Sequence, residues 1–265
     1  MAITTQDQLI AALAAGQDIT LYKQAVRTTV AGVWFSVFDL AGNPGAGTLA
    51  GFSTAAGVVP TDGTAGCPIV NAFTGAVGYV ASVDFACTVA GRIRLYDMLF
   101  KAGAYAFNAA TALSGQPSYS SRIPNSDYGG TQIWIECVTA FTGNQSIAVT
   151  YTNQAGTAGR TTGTIATGVA PTVGRMLQLP LQAGDTGVQK IESVTSTVAT
   201  VGTFNVLVLR PLVAVRQRLI NDGITKGPDL TGMPIVFTDS ALIMLVATDS
   251  TSSGVIDATV KIING

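Results

Sequence analysis

The chain has 265 residues, of which 11% are charged, with 14 Lys and Arg against 15 Asp and Glu, a formal net charge of -1 and no histidine. Without an imidazole side chain it has no Ser-His-Asp or Cys-His catalytic group and none of the usual zinc sites. The near-neutral balance argues against nucleic acid as the main partner, because phosphate binding needs clustered Lys and Arg.

The charged fraction is less than half of the roughly 25% that is typical of soluble domains, so the surface must consist mostly of Thr, Ser, Asn, Gln and Gly. Such a surface has little electrostatic protection against self-association. The composition therefore favours a protein that works in an assembly, although secreted and adhesive β-proteins share it.

The cysteines and the amino terminus bear on where the protein works. Cys67, Cys87 and Cys137 have no short spacing, and the last two alternate with apolar residues, which indicates small core side chains. An odd, sparse set of cysteines fits assembly in a reducing cytosol better than secretion.

The amino terminus lacks the features of a signal peptide, and no uncharged apolar run reaches the ~18 residues of a membrane span. We therefore expect neither export nor membrane contact.

The first predicted element is a short helix over residues 4–15. Thr5 and Gln8 have the spacing of a capping box, and an apolar stripe follows before Gly16 ends the run. A helix this short buries too little surface to be stable by itself. We expect it to dock on its own sheet or on another subunit.

The next part of the chain predicts strands over residues 19–40 and 77–90, separated by a long loop. Residues 33–38 are apolar on both faces of the strand, which is typical of a sandwich interior or an interface. Residues 41–66 are rich in Gly, Ala, Pro and Thr, so they predict a surface loop. This loop either contacts a neighbouring molecule or has no partner.

A second short helix is predicted within residues 92–101. Leu95 and Leu99, like Tyr96 and Phe100, are four positions apart, which is the spacing of neighbours on one helix face. The pattern predicts one or two helical turns that close the end of a sheet.

The centre of the chain, residues 131–165, predicts a three-stranded meander. Residues 133–140 alternate with period two, and 147–151 do so again after a turn at 141–144. We expect these two runs to pair as an antiparallel hairpin, with residues 160–165 as a third short strand.

The remaining strands complete an all-β pattern. They are predicted at residues 175–181, 188–195, 203–209, 234–238, 242–247 and 255–263. Strands at this spacing with polar turns predict a mainly β fold, an antiparallel β-sandwich of jelly-roll or Greek-key type with a short N-terminal helix. We expect an N-terminal arm and β sub-domain over residues 1–90 and a β-sandwich domain over 91–265, or one continuous domain. Residues 242–246 are apolar on both faces, so we expect them to be buried or at a subunit contact.

No catalytic, cofactor-binding or metal-binding residue is predicted. Glu136 and Glu192 are the only glutamates, and a glycosidase needs two facing carboxylates about 5–10 Å apart. They lie in different predicted strands, and we favour outward charges on sheet faces because Glu is usually exposed. The acids at residues 185–187 and 249–254 do not have calcium-loop spacing and predict turns. We expect that the protein is not an enzyme.

Four cations near the carboxyl-terminal third form a loose basic group, namely Arg210, Arg216, Arg218 and Lys226. Apolar residues interrupt the group. We interpret it as a solvated strand edge or a subunit contact rather than a nucleic-acid site.

Four segments, 95–103, 127–138, 147–161 and 179–188, together resemble structural proteins of tailed bacteriophages of the head-decoration, cement or minor capsid type. The resemblance covers roughly residues 90–210, and residues 4–13 are similar as well. The chain lacks the long helices and charged arms of a major shell protein.

This resemblance implies a non-enzymatic β-sandwich on the outer surface of a virion capsid, made in the host cytoplasm. It implies a homotrimer at a local three-fold position, with the major capsid protein as partner and without nucleic acid, membrane, cofactor or shared catalytic residues.

Two alternatives remain open at this stage. A tail or neck component would share the composition and the tendency to assemble. A host-glycan-binding module would need exposed aromatic side chains, for which Trp34, Trp134 and Tyr151 are the candidates. Most aromatics alternate inward, so we rank the glycan-binding module last.

Overall fold

A computed structural model of the protein describes residues 3–75, 77–107, 110–167, 171–196 and 201–264. The chain is 46% strand and 8% helix, and its strands form three antiparallel sheets. The predicted mainly β, antiparallel sandwich class with a short N-terminal helix is confirmed. No helix in the described ranges is long and apolar enough to cross a membrane.

The elements are numbered in chain order. The strands are β1 (Gln17–Lys23), β2 (Phe35–Ser36), β3 (Gly42–Asn43), β4 (Gly78–Cys87), β5 (Gly91–Ala106), β6 (Ala110–Ala112), β7 (Gln132–Thr139), β8 (Ser146–Asn153), β9 (Arg160–Thr161), β10 (Ile165–Ala166), β11 (Met176–Leu179), β12 (Val188–Ser196), β13 (Thr203–Gln217), β14 (Gly223–Lys226), β15 (Ile235–Val236), β16 (Leu242–Thr248) and β17 (Ile256–Asn264). The helices are α1 (Gln6–Ala15), α2 (Pro228–Thr231) and two 3-10 turns, Ser120–Arg122 and Pro124–Ser126.

The chain divides into two compact units, and both are discontinuous in sequence. The first unit consists of Met1–Gly47, Thr61–Asp97 and Leu212–Gly265, and the second of Thr48–Pro60 and Met98–Pro211. The long strands β5 and β13 each begin in one unit and end in the other. The boundary expected from the sequence, between residues 90 and 91, falls inside the first unit.

The first unit buries the inner faces of two groups of strands. One sheet has the order β14-β4-β17-β1-β3, and β15 also pairs with β4. In addition, β16 pairs with the first part of β5 and with β2. Alternate residues of β17, such as Ile256 and Val260, meet Phe85 of β4 and Ile93 of β5 in one apolar core. The two-residue period of each strand therefore produces a closed sandwich core.

The second unit has a core of its own. One sheet has the order β10-β8-β12-β6, with β9 also paired to β8, while β7 pairs with β11 and with the first part of β13. Ile133, Ile135 and Cys137 of β7 share the core with Val149 and Tyr151 of β8. All five side chains are fully buried, so the predicted alternation of both strands is confirmed.

Helix α1 confirms the prediction over residues 4–15. The Thr5 side chain accepts a hydrogen bond from the backbone N–H of Gln8, and the Gln8 side chain accepts one from the N–H of Thr5, which completes the capping box. None of its residues is fully buried, and α1 contacts β17. The helix thus docks on its own sheet, one of the two expected places.

The predicted helical turns within residues 92–101 are wrong, because this whole segment lies in β5. Leu95 pairs with Met244, and Asp97 with Leu242, in the antiparallel ladder between β5 and β16. Residues 95–103 are buried without interruption. The four-residue spacing of apolar side chains was therefore uninformative, since apolar residues occupy both faces of the strand.

The predicted hairpin of residues 133–140 with 147–151 is also wrong. β7 pairs with β11 and β13, whereas β8 pairs with β9, β10 and β12. Each strand has one fully apolar face, and these faces pack against each other across the core instead of pairing edge to edge. Residues 141–144 therefore connect two sheets. The third run of the meander is confirmed, since β9 pairs with β8.

Most other sequence predictions hold. The three cysteines are buried and form no disulfide, and Cys87 and Cys137 lie in the two apolar cores, in agreement with their expected role as small core side chains. All seven residues of β16 are buried, as the apolar pattern of 242–246 predicts. Residues 41–66 contain only the two-residue strand β3, in agreement with a loop, and the strand predicted over 19–40 is limited to β1 and β2.

Candidate functional site

The most distinctive surface of the first unit is a cleft with a volume of about 430 Å³ that we call the basic groove. Its charged lining consists of five cations, Arg92, Arg94, Arg216, Arg218 and Lys226. These are five of the 14 Lys and Arg residues of the whole chain. A chain with a net charge of -1 therefore concentrates positive charge at one place.

Strand alternation places these cations at the groove. Arg92 and Arg94 lie on one face of β5, while Ile93 between them is buried in the core. Toward the end of β13, Arg216 is exposed, and its neighbour Val215 is buried. The backbone of each strand thus directs its apolar side chains inward and its cations toward the groove.

The edge strand β14 forms the remaining side of the basic groove. Ile224 and Lys226 lie on its groove side, and Thr225 between them points the opposite way and donates a hydrogen bond to Asp84 Oδ1 at 2.9 Å. The acidic side chain of Asp84 therefore lies on the other face of this sheet. In the described ladders β14 pairs only with β4, so its second edge has no strand partner.

The ring of Trp34 orients two of the cations. The Arg94 guanidinium lies 4.7 Å from the Trp34 ring centroid and the Arg92 guanidinium 6.0 Å from it, which are cation–π distances. Arg94 Nη1 also donates to the Tyr96 hydroxyl at 3.4 Å. Burial raises the pKa of Tyr96, so this hydroxyl remains protonated. The guanidinium is held against the indole and its remaining donors point toward the groove.

No carboxylate in the described part of the chain pairs with any of the five groove cations. Each cation is exposed or half-exposed. The groove can therefore bind an anionic group without first breaking an internal ion pair, and four of its cations are arginines, which bind carboxylate or phosphate in a bidentate manner.

The sequence identified only part of this site. Arg216, Arg218 and Lys226 of the loose basic group come together in the groove, whereas Arg210 is buried within the second unit. Arg92 and Arg94 were missed because both lie in the segment 92–101, which predicted a helix. The alternation of Arg and apolar residues over 92–95 is the strand signal that could have found them.

The interpretation of the two glutamates as outward charges is wrong for Glu136. Glu136 is 1% exposed and forms an ion pair with Lys101 at 2.9 Å, and its Oε2 accepts a hydrogen bond from Asn205. We call these three side chains the buried triad. Glu192 instead accepts a hydrogen bond from the Thr152 hydroxyl at 2.7 Å. The face of β7 opposite the main core is therefore covered as well, which period-two alternation did not predict.

The turn predicted around residues 185–187 is confirmed and holds a polar cluster. Asp185 accepts hydrogen bonds from Arg160 Nε at 2.9 Å, from the Tyr151 hydroxyl at 2.8 Å and from Asn153 Nδ2 at 2.7 Å. The hydrogen bond from Arg160, followed by those from Asn153 and Tyr151, lowers the pKa of Asp185 to about 2. Burial, together with the hydrogen bond to Asp185, raises the pKa of Tyr151 to about 12. Both carboxylate oxygens of Asp185 are bonded to side chains of the same cluster, which indicates a structural role.

The prediction of exposed aromatic side chains for glycan binding is wrong for two of the three candidates. Trp134 is 1% exposed and Tyr151 is fully buried, so neither can stack on a sugar. Trp34 is half-buried, and its ring is covered by guanidinium groups. The described residues also contain no group of three or more metal-ligating side chains.

Comparisons with known proteins do not identify a family. No protein-family model and no curated protein matches the chain. Among solved structures, the comparison finds that of infectious bursal disease virus, Gt strain, with 9% identity over 94% of this chain and 81% of that chain and a TM-score of 0.18. It also finds the Gx strain, with 9% identity over 94% and 80% and a TM-score of 0.17. TM-scores this low do not establish a shared fold, so neither carries an argument about this chain.

Proposed function

We propose that this chain is a structural virion protein of a tailed phage, of the capsid decoration, cement or minor capsid type. It stabilises the head by non-covalent contacts with the major capsid protein and with its own copies, as a homotrimer on the capsid surface. The observation that carries the proposal is the basic groove, whose five cations have no carboxylate partner among the described residues. Its other support is the resemblance of residues 90–210 to such proteins.

The surface next to the groove is suited to a protein partner. Leu219 and Ile220 directly follow Arg218 in the chain and are 66% and 64% exposed. Large apolar side chains beside arginines are typical of protein interfaces, where Arg is enriched and Lys is depleted. A stable interface buries on the order of 1,600 Å². The groove and this apolar pair together offer part of such an area.

The chemistry of the groove favours an extended acidic segment of a protein over a nucleic acid. Single-stranded nucleic acid needs open aromatic faces for base stacking, but guanidinium groups cover the ring of Trp34. Apolar side chains, among them Ile224 and Ala214, line the groove between the cations. A segment that added to the free edge of β14 would direct alternate side chains to these apolar residues and to the cations. The partner of this groove is therefore an acidic segment of the shell protein.

The proposal includes no enzymatic activity. The polar lining of the groove is entirely cationic apart from Trp34, and its side chains include no carboxylate that could act as a general base. Glu136 is buried away from any exogenous substrate. No cofactor and no membrane contact are part of the proposal.

Particles produced without this protein test the proposal. Capsids that lack it should lose resistance to heat and to high salt, and added purified protein should restore it. Complete particles with normal resistance would contradict the proposal. Immuno-electron microscopy of intact virions should place the label on the head, and label on the tail or neck would replace the capsid role with the alternative.

A further inference from the structure

The buried triad brings three reactive groups together on three strands. Lys101 lies on β5, Glu136 on β7 and Asn205 on β13, with solvent exposures of 0%, 1% and 0%. Glu136 and Asn205 are direct partners in the ladder between β7 and β13. Glu136 Oε2 lies 2.9 Å from Lys101 Nζ and 2.9 Å from Asn205 Nδ2. One carboxylate oxygen therefore bridges an amine and the nitrogen of a side-chain amide.

Residues of the segment 48–60 cover the triad. The ring of Phe52 lies 4.5 Å from Lys101 Nζ. The carbonyl oxygen of Leu49 accepts a second hydrogen bond from Asn205 Nδ2 at 2.7 Å. The three groups are thereby removed from bulk water, and water cannot compete for the groups that they contact.

The orientation of the Asn205 amide is fixed. Its nitrogen faces two acceptors, Glu136 Oε2 and Leu49 O, and only an N–H group can donate to both. Its oxygen, Oδ1, has no hydrogen-bond donor among the residues that the structure describes. Gly103 of β5 leaves the space for this oxygen, because a Cβ at position 103 would collide with it. The amide therefore presents its carbonyl group toward the strand that carries Lys101.

General chemistry gives each group a role. A desolvated lysine amine is a nucleophile, and a carboxyl group within about 2.6–3.2 Å can transfer its proton. A buried ammonium–carboxylate pair is costly, whereas an amine beside a carboxylic acid carries no charge. Proton transfer from Lys101 to Glu136 would therefore create the nucleophile beside the carboxylate oxygen that the amide nitrogen also contacts.

We propose that Lys101 and Asn205 form an intramolecular isopeptide bond, with Glu136 as the proton carrier. The ammonium of Lys101 gives a proton to Glu136 Oε2, and the free amine attacks Cγ of Asn205. Glu136 then returns this proton to Nδ2, the Cγ–Nδ2 bond breaks, and the Cγ–Nζ amide bond remains. The attacking nitrogen then gives its second proton to the same carboxylate, so the leaving nitrogen departs as ammonia and Glu136 remains as a neutral carboxylic acid. No atom changes oxidation state and no co-reactant is needed.

The bond would join the two long strands β5 and β13 within the second unit. The reaction occurs once per chain and has no external substrate, so it is compatible with a protein that is not an enzyme. The cross-link does not depend on the proposed shell role, and an experiment that contradicts one of the two proposals does not affect the other.

Denaturing mass spectrometry of the intact, full-length protein tests the cross-link. The wild-type chain should be lighter than its sequence mass by one ammonia. Tandem mass spectrometry after trypsin digestion should find the peptides of Lys101 and Asn205 joined. Asn264 precedes a glycine, and a cyclic imide at this position would also form with loss of ammonia. Mild base hydrolyses a cyclic imide but not an isopeptide bond, so the mass deficit should persist in mild base. A wild-type protein of full sequence mass, or a deficit located at Asn264, would overturn the proposal.

Two variants define the roles. Lys101→Arg and Glu136→Gln should both have full sequence mass, while the matched control Lys190→Arg, at an exposed lysine of β12, should keep the deficit. Circular dichroism should show that Glu136→Gln is folded. The mass of the wild-type chain shows whether the cross-link forms, even if a variant fails to fold. A complete cross-link in Glu136→Gln would overturn the role of Glu136 as the proton carrier.

Discussion

The buried triad of the second unit and the basic groove of the first use cationic side chains in opposite ways. In the triad, Lys101 is fully buried and lies 2.9 Å from the carboxylate of Glu136. In the groove, five cations are exposed or half-exposed and have no carboxylate partner in the described part of the chain. A buried charge without a partner is strongly destabilising, whereas an exposed one costs little and remains available to another molecule. The difference separates a charge that belongs to the fold from charges that can bind a partner.

Replacing Lys101 by Met should have the largest effect on stability. The free energy of unfolding should fall by roughly 3–5 kcal/mol, because Glu136 would be left buried without a cation. The matched double variant, Lys101→Met with Glu136→Leu, should be more stable than the single variant by most of this amount, since its buried pair is apolar and leaves no charge unpaired. Urea denaturation measures both. Neither variant can form the proposed cross-link, so the difference in stability between the single and the double variant reports charge burial alone. Equal stability of the two variants would contradict the assignment of Lys101 as a charge that the fold requires.

Tyr151→Phe tests a buried polar group that is fully satisfied. Its hydroxyl donates to Asp185 and accepts from the backbone N–H of Gln182, each at 2.8 Å. Removing it should lower the free energy of unfolding by about 1 kcal/mol, the usual net value of a hydrogen bond. The control is Tyr22→Phe at a half-buried tyrosine, which should change stability by less than about 0.5 kcal/mol. Equal losses in both variants would assign the effect to ring packing instead of the hydrogen bonds.

The pH dependence of stability should report the ion pair of Asp185 and Arg160. The pKa of Asp185 is lowered to about 2, whereas an unfolded aspartate has a pKa of about 3.9. The unfolded chain therefore binds the proton first, so the stabilisation is fully present above about pH 4 and is lost as the pH falls toward 2. The difference in denaturation midpoint between the wild type and Asp185→Asn should shrink over this window. A difference that stays constant from pH 5 to pH 2 would contradict the assignment.

The parts of the fold that depend on neighbouring residues could be predicted from the sequence. The capping box of Thr5 and Gln8 lies within one helical turn, and the alternation of residues 133–140 needs only one strand and one core. The pairing of β7 could not be predicted, because its partners β11 and β13 are distant in sequence. Local turn chemistry at 141–144 suggested a hairpin, but packing of two apolar faces across the core decided the topology.

The same limit applies to the two sites. The burial of Glu136 depends on Lys101 and Asn205, which come from strands far apart in the chain, so no local pattern could show it. The groove was found in part, because Arg216 and Arg218 are close together in sequence. Its other cations come from β5 and β14, and only the meeting of strands from two sheets reveals a continuous surface.

Charge reversal in the groove should have the smallest effect on stability and a clear effect on binding. The double variant Arg216→Glu with Arg218→Glu should change the free energy of unfolding by less than about 0.5 kcal/mol, because both side chains are exposed and have no internal partner. Its binding to capsids that lack the protein should weaken by about tenfold or more, as like charges then face the acidic segment of the partner.

Co-sedimentation of purified protein with such capsids measures this effect, and Lys190→Glu at an exposed position of the second unit is the matched control. Raised salt should weaken the binding of the wild type more than that of the double variant, since the double variant keeps only three of the five groove cations. Wild-type affinity of the double variant for the capsids would remove the groove from the interface, and the capsid role would then be supported by the resemblance of residues 90–210 alone. Loss of folding in the double variant would contradict the distinction between the groove and the buried triad, because the groove cations would then be required for folding, as Lys101 is.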